Sequence, residues 1–202
     1  MILGEFEEST LVGAAGSLWR EATEAPFLAA IRAGLLPNEA FHRWLVQDYL
    51  FVKGATTFLA VAIAKTPRPA QKVLISGLAA LDMELDWFEE KASKRGFDLN
   101  APPHPTCRRY VDFLVASAYT QPFEVLLGML YGVEVTYLCG WSALEPTGPY
   151  AEFIDRWSND QFAQYVRRLL DLCRQHVHAG QQELFNEVLR HEHEFWRMTW
   201  KG

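Results

Sequence analysis

The sequence lacks the marks of a β protein. No five-residue alternating stretch is enriched in Val, Ile and Thr, and no Asn-Gly or Asp-Gly turn occurs, so an all-helical chain is expected. Cysteine is scarce as well. Cys107, Cys139 and Cys173 are odd in number and far apart, with no Cys-x-x-Cys pair, which excludes a disulfide framework or zinc cluster and predicts reduced thiols. Basic runs stop at the pairs Arg108-Arg109 and Arg167-Arg168, and 19 basic against 25 acidic residues leave a net charge of -6. A nucleic-acid partner would need a positive face that is missing here. The start, Met1-Ile-Leu-Gly-Glu-Phe-Glu-Glu, has acids where a signal peptide carries positive charge, and no apolar run reaches roughly 18 residues uninterrupted. A soluble, cytoplasmic protein without a membrane partner is expected.

What is present is apolar mass punctuated by proline and glycine. At 202 residues and 50% hydrophobic content the chain suffices for one well-cored domain over 1–202. Ser9 and Thr10 can cap a helix from Leu11 toward Ala22, and Pro26 bends the chain into an apolar run to Leu36. With Asn38 as candidate N-cap, Phe41, Trp44, Leu45, Tyr49, Val52 and Phe58 recur at helical spacing in a helix reaching Lys65, which is apolar nearly all round. Helices over 70–95, ending at the left-handed cap Gly96, and from about Tyr110 to Gln121 follow, separated by a Pro-rich loop. A helix from Pro122 through Leu144, a short one over 150–157, one from Asp160 to His178 capped by Ser158-Asn159, and a last one beyond Gly180 complete seven to nine in all.

Four acids sit among apolar neighbours on four different predicted helices: Asp48, Glu84, Glu134 and Glu192. A single such acid is most often a core residue satisfied by a partner, but bundles build sites from inward side chains, and four acids weight the balance toward one. On its helix Glu134 shares a face with Tyr131, Tyr137 and Trp141. A di-iron bundle would need Glu-x-x-His on two helices; Glu134 is followed at i+3 by Tyr137 and Glu192 by Phe195. The run His191-Glu-His-Glu194 points its neighbours about 100° apart, so solvated or packed histidines are expected and no metal is called for. With 13% aromatics, including Tyr49, Phe51, Tyr110, Tyr137, Trp157 and Trp196, rings beside inward acids suit a flat, protonatable heterocycle.

The pattern Ala25-Pro26-Phe27, Gly34-Leu-Leu-Pro37, Phe41, Val46-Gln47-Asp48 and Glu192-His-Glu-Phe195-Trp196-Arg-Met198 resembles the TenA family, the thiaminase II or aminopyrimidine aminohydrolase group, whose fold is similar to those of PqqC and haem oxygenase. The likeness spans nearly the whole chain. It implies an all-α, single-domain helical bundle, no cofactor, a homotetramer, and hydrolysis of 4-amino-5-substituted-2-methylpyrimidines in thiamin salvage. The family's aspartate for the pyrimidine amino group falls on Asp48, its catalytic glutamate on Glu192, and a pocket tyrosine on Tyr110; two further ring positions, usually tyrosine, are Phe51 and Trp157 here. The gapless counterpart of the family's nucleophilic cysteine is Gly132. The sequence instead resembles a branch with a glutamate on this helix, Glu134.

Without that thiol, water is the expected nucleophile, with Glu192 and Glu134 sharing the roles of general base and general acid. Asp48 would hold the exocyclic amine, Phe51, Tyr110, Tyr137 and Trp157 would shape the slot, and Glu84 is a further candidate. The substrate would be the aminopyrimidine or its N-formyl derivative. Two other classes are a non-catalytic pyrimidine-binding regulator and a PqqC-like cofactor-free oxidase. The first lacks a helix-turn-helix or basic face for DNA, and the second needs a cationic pocket where this sequence offers acids.

Overall fold

In the computed structural model, residues 3–201 are described, so Met1, Ile2 and Gly202 of the expected domain, and with them the first two residues of the acidic start, lie outside the description. In chain order the helices are α1 (Leu3–Glu7), α2 (Thr10–Ala15), α3 (Ser17–Thr23), α4 (Pro26–Arg32), α5 (Asn38–Lys65), α6 (Arg68–Arg95), α7 (Pro105–Thr120) and α8 (Phe123–Ser142). After a 3-10 turn over Gly148–Tyr150 come α9 (Ala151–Ser158), α10 (Asp160–Gln175) and α11 (Gln181–Lys201). Among the described residues there is no strand. The helix count exceeds the expected seven to nine because α1 is added and the helix expected over 11–22 breaks at Gly16. There φ 61° and ψ -126° suit a residue without a side chain.

Local chemistry explains most boundaries. Gly96 takes the left-handed conformation (φ 68°), and its amide and that of Phe97 return to the carbonyls of Ser93 and Ala92, closing α6 as expected. Asn159 caps α10: its Oδ1 accepts the Phe162 N–H at 2.9 Å while its amide donates back to the Asp155 and Arg156 carbonyls, so one side chain serves two helix ends. Two expected caps differ. Asn38 is the first residue inside α5, with Pro37 at the cap position. Ser9 does occupy the cap of α2, but its hydroxyl shares a 3.2 Å hydrogen bond with the Tyr131 hydroxyl instead of a helix amide. Helix α7 starts earlier than expected because the His104 ring nitrogen accepts the Thr106 N–H and Pro105 fits the first turn.

The chain divides into two compact units. The first comprises the chain up to Leu36 and Glu124–Arg197, hence α1 to α4, nearly all of α8, α9, α10 and most of α11. Helix α8 is its spine, buried from Val125 to Trp141 except at Val133 and Glu134. The second comprises Pro37–Phe123 and the chain from Met198, with α5 packed against both α6 and α7. Both α5 and α8 are long and apolar enough to cross a membrane by length and composition, yet 56% and 78% of their apolar windows are buried inside the protein. Core helices have that character.

Candidate functional site

In the first unit, α8 and α11 run parallel, and the contacts give their register. Gly128 faces Gln181, the Tyr131 and Phe185 rings stack at 6.0 Å, Gly132 faces Val188, and the Tyr137 and Trp196 rings stack at 5.5 Å with 22° between planes. Both numbers rise together. Glu134 falls between Gly132 and Tyr137, and Glu192 between Val188 and Trp196, so the two carboxylates occupy the same level of the pair. Each stands about one turn before a member of the Tyr137–Trp196 stack.

That stack belongs to a larger wall. Trp157, delivered by α9, meets Tyr137 edge-on at 5.7 Å and Trp141 at 5.2 Å, while Phe27 from α4 lies 5.4 Å from Trp196. Aromatic groups in such tilted and edge-on arrangements pack firmly and present rigid faces. Of the four predicted residues in this unit, Tyr137 and Trp157 are buried, Glu192 is 1% exposed, and Glu134 is half-buried. The expectation of a fully inward Glu134 is thereby corrected: with Val133 it forms the partly open edge of an otherwise buried helix.

Gly132 is a packing position. A Cβ there would lie 3.0 Å from Val188 Cγ1 and 3.2 Å from Phe185 Cδ2, so any side chain points into α11. A thiol at 132 would face that helix contact. Nor do the native cysteines offer a nucleophile: burial pushes the thiols of Cys107, Cys139 and Cys173 each from 9.0 up to about 12.

In the second unit, the predicted residues gather where α5 faces α7. The Phe51 and Tyr110 rings lie 4.7 Å apart. One turn before each stand Asp48 and Cys107, and the Asp48 carboxylate adds to the upward push that burial gives the Cys107 thiol. The thiol donates to the Gln47 carbonyl at 3.5 Å, and Gln47 Oε1 accepts the His104 N–H at 2.7 Å, tying the Pro-rich loop to α5. Asp48 is 2% exposed. Glu84 is different: it is half-buried on α6, between the exposed Asp82 and Asp86, so the reading of four inward acids holds fully for Asp48 and Glu192 alone.

Within the His191-Glu-His-Glu194 run, two side chains have partners away from any shared ion. His193 Nδ1 lies 3.0 Å from the Glu21 carbonyl, and Glu194 pairs with Arg197 at 2.8 Å. Among the described residues no three His, Cys, Asp or Glu side chains are placed to hold a metal ion.

One buried group escaped the sequence reading. Tyr165 on α10 is 9% exposed, and its hydroxyl has no hydrogen-bond partner among the described residues. Burial pushes it well above 10.0, the Glu134 carboxylate raises it further, and Arg168 lowers it. Its sequence context, Ala163-Gln-Tyr165-Val, looks like an ordinary amphipathic helix face. The only sequence cue was a phenol on that apolar stripe.

Parallel helices thus carry two acids at one level beside a rigid aromatic wall in an all-α protein. The chain belongs to the TENA/THI-4/PQQC family, whose profile matches residues 14–202. A Glycine max protein named "Probable bifunctional TENA-E protein" is 26% identical, the match covering 90% of this chain and 88% of that one. Among solved structures, a TenA homologue from Pyrococcus furiosus superposes with a TM-score of 0.87 at 30% identity, covering 98% of this chain and 100% of that one. A Shewanella denitrificans domain described as having a heme oxygenase-like fold gives 0.74 at 13% identity, covering 94% and 90%, a likeness of fold alone.

Proposed function

We propose that this protein hydrolyses 4-amino-5-substituted-2-methylpyrimidines, the aminopyrimidine or its N-formyl derivative, as a step of thiamin salvage, with water as the nucleophile. The observation that carries this reading is the level pairing of Glu134 and Glu192 on parallel α8 and α11 beside the Tyr137–Trp196 stack. Membership of the family supports the substrate class, and the branch with a glutamate on α8 is read from Glu134 itself. With every thiol pushed up to about 12, covalent attack by cysteine has no thiolate to use near neutral pH.

For the aminopyrimidine, the water oxygen bonds to the substituted methylene carbon as the carbon–nitrogen bond breaks. One carboxylate takes the water proton and the other carboxyl gives a proton to the departing nitrogen, so ammonia and the hydroxymethyl pyrimidine form. In the first unit Tyr137 and Trp157 supply ring faces beside the two carboxylates; in the second, Asp48, one turn from the Phe51–Tyr110 ring pair, is by family resemblance the acceptor for an exocyclic amine. Incubating the protein with the aminomethyl and formylaminomethyl pyrimidines and with thiamin, then weighing the products by mass spectrometry, tests the reading. Hydrolysis of the first two is expected. Tight binding without turnover would favour a regulator in its place.

A further inference from the structure

Tyr165 can be located along α8 from contacts alone. Trp157, just before α10, lies against Tyr137 and Trp141. At the other end of α10, Cys173 lines a cavity of about 410 Å³ together with Gln181, and Gln181 faces Gly128. Between residues 157 and 173 the chain therefore travels from the 137–141 level of α8 back to the 128 level. Tyr165, midway on a buried stripe with Ala163, Val166 and Leu169, falls at the level of Glu134. The interaction of the Glu134 carboxylate with the phenol agrees with this placement.

A buried hydroxyl without a partner is costly to a folded protein, and native structures seldom keep one without a use. Here the hydroxyl stands at the level of a carboxylate on the partly open edge of α8. A phenol donates and an ionised carboxylate accepts, so between them they match one small group that can do both. Water is such a group.

We propose that Tyr165 and Glu134 together hold the attacking water: the Tyr165 O–H donates to the water oxygen, and Glu134 accepts one of its protons. The inference rests on the hydrolase reading and divides the roles within it. Glu134, half-exposed, is the base that meets water. Glu192, almost wholly buried, is left as the acid for the leaving nitrogen. As the water oxygen bonds to carbon, its proton passes to Glu134, the Tyr165 hydroxyl keeps its own proton, and the second lone pair of the water points at the carbon. Tyr165 is thus a positioning residue.

The test is Tyr165→Phe in the full chain, read by turnover, KM and thermal unfolding. We expect kcat to fall about 10- to 100-fold with KM changed less than about threefold. The melting temperature is expected to hold or rise by about 2–4 °C, since the variant removes a buried donor that no described residue pairs. In the Glu134→Gln background the same substitution is expected to cost no further activity, because the two groups act on one water. A melting temperature that drops, or losses that multiply in the double variant, overturns the proposal. Turnover that Tyr165→Phe retains in full overturns it alone, whereas a wild-type protein that hydrolyses neither pyrimidine overturns the hydrolase reading along with it.

Discussion

In the second unit the polar groups around Asp48 are tied to backbone, with Gln47 taking the His104 amide through its side chain and the Cys107 thiol through its carbonyl. In the first unit the corresponding region keeps a buried phenol without a hydrogen bond among the described residues and a carboxylate on a half-open edge. The difference separates two tasks. A set of side chains fixed by the fold suits holding a substrate group in one orientation, whereas a buried hydroxyl donor at the level of a half-open carboxylate suits contact with a group that enters from solvent.

The sharpest way to break that division is to neutralise one acid in each unit. Glu192→Gln is expected to lower kcat by about 10³-fold while pyrimidine binding, followed by tryptophan fluorescence, changes little. Asp48→Asn is expected to weaken binding about 10- to 100-fold, the worth of one charge-assisted hydrogen bond, with a smaller effect on kcat. If the two variants give the same pattern, binding and chemistry are not divided between Asp48 and Glu192.

Glycine positions compare the packing of the units. In the second, a Cβ on Gly54 would lie 2.3 and 2.7 Å from the two Cγ atoms of Val111, a stiff side chain on α7. In the first, Gly132 meets Val188 and Phe185 at 3.0 and 3.2 Å. Gly54→Ala is therefore expected to cost about 2–3 kcal/mol and Gly132→Cys about 1–2 kcal/mol in thermal or urea unfolding. The second variant also tests the chemistry. Its new thiol faces α11, so it is expected to resist alkylation in the folded protein and to bring no thiol-dependent cleavage of thiamin. Rapid labelling there would mean that α8 presents this position to solvent.

Most of the fold was legible because its punctuation is chemical: prolines at 26, 37, 105 and 122 and glycines at 96 and 180 bound the helices close to where the residues alone suggest. The long apolar periodicity of α5 and the unbroken apolarity of α8 likewise read directly. What could not be read was orientation. Glu134 and Glu192 look equally inward in sequence, and only helix register distinguishes a half-open acid from a buried one. Gly132 matched a family position by counting along the chain, yet its direction is set by the close approach of α8 to α11, which no local pattern encodes. Tyr165 was missed for the same reason: its hydroxyl matters through what lies across from it.

Alkaline pH probes both units at once. Each of the three thiols is held near 12 in the folded chain against 9.0 when unperturbed. A raised thiol value favours the folded state fully below pH 9, where both states are protonated, and that contribution is lost as pH rises from 9 toward 12. By pH 10 each thiol withdraws about 1 kcal/mol. Urea midpoints are expected to be flat with respect to these groups up to pH 8.5 and to fall above it. A disulfide-exchange reagent should label the cysteines only as the protein unfolds. Because Cys139 and Cys173 lie in the first unit and Cys107 in the second, early labelling of one set would reveal which unit opens first.

The smallest expected effect concerns the junction that delivers Trp157 to the aromatic wall. Asn159 ends α9 with its amide and starts α10 with its oxygen, and it sits between Trp157, which touches Tyr137, and Tyr165, placed at the level of Glu134. Asn159→Ala removes both functions and is expected to cost about 1 kcal/mol, a drop of about 2–4 °C in melting temperature. Asn159→Asp keeps the acceptor for the Phe162 N–H and adds a charge favoured at a helix start, but it loses the amide that closes α9. Its stability should therefore lie between those of Asn and Ala. If the aspartate matches asparagine in stability while hydrolysis still slows, closure of α9 matters for aiming Trp157 and Tyr165. Equal activity in all three proteins would make the junction a matter of stability alone and confine the aiming of the first unit to α8 and α11.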